Sequence, residues 1–101
     1  MDYTERVTKI LEPIFGDMLA PLALKACCRR LTPAVEVGKI EASHLPTIAE
    51  GLYEGVRTYG KDPDVVKRRI VDCADDAKYK VILKEIEQEK TQNKRPSIKP
   101  F

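Results

Sequence analysis

Three cysteines, a lone histidine and a knot of aspartates are the residues of this 101-residue chain best suited to catalysis or metal binding. Cys27 and Cys28 are adjacent, and neighbours on a helix point about 100° apart, so a disulfide between them would distort the helix. With Cys73 they make an odd number, no C-x-x-C occurs, and they read as small buried hydrophobes. His44 could act as a general base or a phospho-acceptor. It lacks a second histidine or a Cys/Asp set at ligand spacing, so no metal site is expected. Asp72, Asp75 and Asp76 could share a proton or hold a divalent ion. Arg68, Arg69, Lys78 and Lys80 interleave them, which is the pattern of a solvated, neutralised helix face. No phosphate-cradling glycine loop, nucleophile elbow or dinucleotide fingerprint is present. The expectation is a protein that is not an enzyme, with no catalytic residue, cofactor or metal.

The cations offer a different chemistry. Arg29-Arg30 and Lys67-Arg68-Arg69 would form one phosphate-binding patch if their helices were neighbours. Residues 90–101 carry Lys90, Lys94, Arg95 and Lys99 without an acid, a basic tail on a near-neutral body. The net charge is only +2, and acids dilute the patch. About ten residues separate the helices on either side of Thr32, too many for a helix–turn–helix. A small nucleic-acid-binding regulator, with Lys94 and Arg95 as further contacts, is the alternative reading.

These residues need helices to position them. The hydrophobic fraction of 43% and the charged fraction of 34% suit one compact helical domain. No run approaches the roughly 18 apolar residues of a membrane span. The start, MDYTERV, carries charge where a signal peptide is apolar, so a cytoplasmic protein is expected. Tyr3, Val7, Ile10, Leu11, Ile14 and Phe15 recur at helical spacing, and Pro13 should end or kink that first helix. From Gly16 to Leu31 the chain is apolar nearly all round, with a narrow polar side at Lys25 and Arg29. Such a helix needs cover on every side and reads as the centre of the domain, with Leu19, Leu22, Ala23, Ala26 and Cys27 innermost. Its start is left open between Asp17 as cap and Pro21 as first residue. Ser43 is the expected cap of the next helix, whose stripe is Ile48, Ala49, Leu52, Val56 and Tyr59. Gly51 and Gly55 beside the stripe imply close approach of another helix. Asp62-Pro63-Asp64 opens the last helix as cap, first residue and dipole-compatible acid.

That last helix holds the main irregularity. Val66, Ile70, Cys73, Ala74, Ala77 and Val81 make a clean stripe, after which Tyr79, Ile82, Leu83 and Ile86 gather on a face more than 100° away. Two explanations compete. A helix continuous over 63–90 would span roughly 42 Å and overhang its neighbours, leaving the second cluster in water as a self-association surface for a homodimer. Alternatively the helix breaks near Asp75-Asp76, and a short fifth helix folds back over its own core. The first is taken as the expectation. The fold is then an all-α, four-helix up-down bundle with helices near 2–14, 18–31, 44–59 and 63–90. Residues 1–90 are its single domain, and residues 91–101 are a flexible basic tail.

The order ILEPIFGDMLAPLALKACCRRL, HLPTIAEGLYEGVRTYG and a capped helix ending in RRI resembles a small all-helical module of prokaryotic signalling proteins, found beside Roadblock-type or receiver domains. Leu19-Ala20-Pro21-Leu22-Ala23 corresponds to the module's Leu-Gly-Pro-x-Ala helix start, with alanine in place of glycine. The resemblance covers about sixty residues and brings no catalytic residue. It implies protein–protein contact in a regulatory system.

Overall fold

The structure is a computed structural model that describes residues 2–94, and side chains over 2–89. Among the described residues it holds five helices and no strand: α1 (Thr4–Arg30), the short 3₁₀ helix η1 (Ala42–His44), α2 (Leu45–Thr58), α3 (Pro63–Asp72) and α4 (Asp76–Lys94). The fold is all-α, as expected, but its helices are cut in different places.

The two helices expected over 2–14 and 18–31 are limbs of α1, joined at Gly16. Helix runs through Pro13 and stops at Gly16, whose φ of 88° and ψ of 162° lie where side chains with a Cβ are rarely accommodated. The second limb, residues 17–30, starts directly after it, so Asp17 is inside the helix and Pro21 lies one turn in. The limbs fold back on each other. A straight helix would hold Cys28 about 36 Å from Thr4. Instead Val35 N–H donates to the Cys28 carbonyl (3.0 Å) and Gly38 N–H donates to Thr4 Oγ1 (2.8 Å). The chain from Val35 to Gly38 reaches ~11 Å at most. Asp2 completes the closure by accepting from Ile40 N–H (3.1 Å) and Thr4 N–H (3.1 Å).

The stripe of α2 is buried at Leu45, Ile48, Ala49, Leu52 and Val56, while Tyr59 is exposed and sets its ring edge-on to Phe15 at 4.7 Å. Ser43 is not the cap. The 3₁₀ turn starts at Ala42, and Glu41 N–H donates to His44 Nδ1 (3.0 Å). At Gly51 the second limb of α1 comes so near that an added Cβ would lie 2.6 Å from Cys27 Sγ. Asp62 caps α3 as expected, accepting from Asp64 N–H (3.0 Å) and Val65 N–H (3.4 Å).

The continuous helix over 63–90 is corrected. The chain turns at residues 73–75, where Asp75 Oδ1 accepts from Ala77 N–H (2.9 Å) and Lys78 N–H (3.1 Å) and so caps a separate α4. Arg6 pins this turn to the first limb of α1. Its Nη1 donates to the Cys73 carbonyl and its Nη2 to Asp76 Oδ1, both at 2.6 Å, while the Tyr79 ring centroid lies 4.7 Å from the guanidinium. The redirected α4 drives Ile82 and Ile86 into the common core, and Tyr79 packs against it. Ala77 and Val81, expected inside, are exposed. Helix continues through residues 91–94, which were expected to be tail. The rest of the tail lies outside the described residues.

Candidate functional site

The second limb of α1 buries one face against α2. Ala20, Leu24, Cys27 and Cys28 are its inner residues, with Leu24 four after Ala20 and the two cysteines three and four after Leu24. The opposite face is open: Met18 is 84% exposed, Leu22 59% and Leu19 48%. Ala26, Lys25, Arg29 and Arg30 continue that face toward the C-terminal end of the limb, all exposed. Of the five residues expected innermost, Cys27 is buried and Ala23 is partly buried against the core, while Leu19, Leu22 and Ala26 are exposed, and the expectation is corrected for those three. Among the described residues the limb is covered on one side only. Three large apolar side chains grouped on one exposed face are costly to leave in water, which makes the face a candidate contact surface.

Beyond Leu22 the face meets the segment that follows α1. Lys25 and Arg29 form one wall of a recess of about 350 Å³ whose other residues are Ala34, Val35, Glu36 and Val37. Glu36 is engaged by Lys39 at 3.2 Å. Lys25, Arg29 and Arg30 have no ion-pair partner among the described residues. The face is thus apolar at its start, cationic at its end and recessed beside the cations.

The other sequence-derived candidates are spoken for. Lys67 Nζ binds Glu50 (2.7 Å), Arg68 lies 3.8 Å from Glu85 and 3.9 Å from Asp72, and Arg69 binds Glu89 (2.8 Å) and Glu85 (3.3 Å). Arg69 is 7% exposed and belongs to the interior. The run Lys67-Arg68-Arg69 is consequently not the free basic surface expected beside Arg29 and Arg30. Lys94 is the last helical residue of α4, and Arg95 lies outside the described residues. In the expected self-association set, Ile82 (2% exposed) and Ile86 (6%) are core, Tyr79 is half-buried, and only Leu83 is exposed. The overhang that would have exposed them does not exist, because α4 turns back at Asp75.

The remaining polar groups have structural work. Asp75 caps α4, Asp76 holds Arg6, and Asp72 lies within ion-pair distance of Arg68 and Lys78. His44 closes the η1 turn. Among the described residues no three of His, Cys, Asp and Glu converge to hold a metal ion. All three thiols are free and buried. Burial pushes Cys28 up to about 11, with Cys27 adding to it, and pushes Cys73 up to about 11 despite Arg6 nearby. Such thiols stay protonated and shielded at neutral pH. Among the described residues no helix is long and apolar enough to cross a membrane.

The sequence carried a signal for the exposed face. Stepping back from Arg29 and Lys25 by helical spacing reaches Leu22 and Met18, so the narrow polar side is the end of a longer solvent-facing stripe. Compared with known proteins, the chain matches no family model, no curated protein and no solved structure.

Proposed function

We propose that this protein is a non-enzymatic protein–protein docking module whose contact face is the outer side of the second limb of α1. The observation that carries this reading is the exposure of Met18, Leu19 and Leu22 together on one helix face, while most of the other described large apolar residues are buried or half-buried. A helix face with anchors at i, i+1 and i+4 suits contact with a partner helix or groove. The resemblance to a helical module of prokaryotic signalling proteins supports the same reading, since Leu19 and Leu22 of the shared motif are two of the three exposed anchors. A regulatory role in signalling belongs to this proposal.

Self-association through Tyr79, Ile82, Leu83 and Ile86 is not carried forward, because Ile82 and Ile86 are needed by the protein's own core. The nucleic-acid reading is less favoured, because three of its seven cations, Lys67, Arg68 and Arg69, are engaged by Glu50, Asp72, Glu85 and Glu89. The test compares proteins cross-linked in cells to the wild type and to a Met18→Ser, Leu22→Ser variant of matched thermal stability. Loss of specific partners from the variant is expected. An unchanged set of partners would remove this face from the function.

A further inference from the structure

The docking reading leaves the partner's chemistry open, and the charges around the face narrow it. Along the outer side of the limb run Met18, Leu19, Leu22, Lys25, Ala26 and Arg29, with no acid among them. Arg30 is exposed beside them. Elsewhere, Arg6, Lys39, Arg57, Lys67, Arg68, Arg69 and Lys78 each have a carboxylate within ion-pair distance, whereas Lys9, Lys61, Lys80 and Lys84, which lie outside this limb, have none among the described residues. Lys25, Arg29 and Arg30 have none among the described residues, and the nearby Glu36 is turned to Lys39. These cations are supplied without anions at the end of an apolar contact face.

Resting on that docking reading, we infer that the partner is an acidic amphipathic helix of another protein. Its apolar side chains lie over Met18, Leu19 and Leu22, and its Asp or Glu residues lie opposite Lys25, Arg29 and Arg30. The recess between Lys25, Arg29 and the Ala34–Val37 segment receives one further side chain of the partner, at whose edge Val37 is 40% exposed. A second copy of this chain does not answer the charge. An antiparallel twofold pairing about Leu22 sets Lys25 beside Leu19 of the mate rather than beside an acid; a parallel one opposes cation to cation. A bilayer would satisfy the charge but has no shaped group to enter the recess. Phosphate backbones would leave the apolar half of the face uncovered.

The experiment uses the full chain and a pair of labelled, hydrocarbon-stapled helical peptides with leucines at i, i+4 and i+7. In one the following exposed positions are Glu, and in the other they are Lys. Fluorescence anisotropy at low salt should show the Glu peptide binding about tenfold more tightly, an advantage that two or three exposed ion pairs can supply. The preference should collapse near ~0.5 M salt, where screening is short-ranged. A Lys25→Glu, Arg29→Glu variant, checked for native helix content, should invert it. An Arg29→Gln variant should reduce it if the double variant does not fold. Equal binding of both peptides, lost in Met18→Ser, Leu22→Ser, would keep the docking face and overturn the acidic partner. Binding of neither peptide overturns the inference. So does capture by phosphatidylserine vesicles or duplex DNA but not by the Glu peptide, or a wild-type dimer that dissociates on Leu22→Ser.

Discussion

Two clusters of cations, Lys25-Arg29-Arg30 and Lys67-Arg68-Arg69, are built from the same residue types and end in opposite states. The second is flanked by α2 and α4, which present Glu50, Glu85 and Glu89, and Arg69 is drawn inside. The first lies on a limb whose outer face has no neighbouring helix among the described residues, and its cations are exposed. What decides between structure and surface is the element that packs alongside, which a local run of sequence does not reveal. A basic run is a binding candidate only when the fold leaves it unanswered.

That contrast predicts the largest difference in stability. Replacing Arg69 by Ala removes a buried guanidinium, leaves Glu89 without its cation and leaves Glu85 only the more distant Arg68. Breaking a buried pair costs about 3–5 kcal/mol, and partial exposure of both acids brings this to about 2–3 kcal/mol. Arg29→Ala should change stability by less than about 0.5 kcal/mol. Urea unfolding of the two variants measures both. Equal losses would mean that the two clusters do not differ as described.

The inner face of the α1 limb gives the next effect. A methyl group at Gly51 would meet Cys27 Sγ at 2.6 Å, so Gly51→Ala should destabilise by about 1–3 kcal/mol through overpacking. Adding Cys27→Ala makes room for it, and the double variant should recover part of the loss. A coupling of at least ~0.5 kcal/mol in that cycle marks direct contact between the limb and α2. Strict additivity would place the two residues apart.

A smaller effect follows from the thiols. The pKa values of Cys28 and Cys73 are raised from about 9 in the unfolded chain to about 11 in the fold. The stability tied to their protonated forms is therefore complete below pH 9. It declines as pH rises from 9 toward 11, where the unfolded chain binds fewer protons than the folded one. Alkylation in native buffer at pH 8 should be slow for all three cysteines and fast once urea unfolds the chain. Rapid labelling of one thiol in the native state would show that the limb's inner face opens.

Much of this architecture was legible because independent signals agreed. In α2 the stripe of Ile48, Ala49, Leu52 and Val56 and the flanking glycines pointed to one face, and Asp62-Pro63-Asp64 fixed the start of α3. Elsewhere the signals conflicted. Asp75 serves equally as a helical residue and as a cap, so the shifted stripe allowed both an overhang and a turn; the core available to Ile82 and Ile86 decides for the turn. Between Gly16 and Leu31, apolar residues occupy nearly the whole circumference, and hydrophobicity alone cannot choose the inner face. The polar pair Lys25 and Arg29 marked the outer one, but the limb was expected to be covered all round. The exposed site was therefore misplaced into the core, and the buried cluster on α4 onto the surface.

The smallest predicted effect bears most directly on the open face. Met18→Ser with Leu22→Ser removes two large apolar side chains, a change that costs about 2–5 kcal/mol for each such residue in a core. Here both are largely solvated in the folded chain as well as in the unfolded one, so little burial is lost. The slightly poorer helix propensity of serine contributes a few tenths of a kcal/mol per site. Stability should fall by about 1 kcal/mol at most, whereas Leu24→Ala, one turn further on the inner face, should cost about 2–5 kcal/mol. Thermal unfolding of the isolated chain separates the cases. A double serine variant that loses as much as Leu24→Ala would show that Met18 and Leu22 are covered within the chain, and the docking face would not exist.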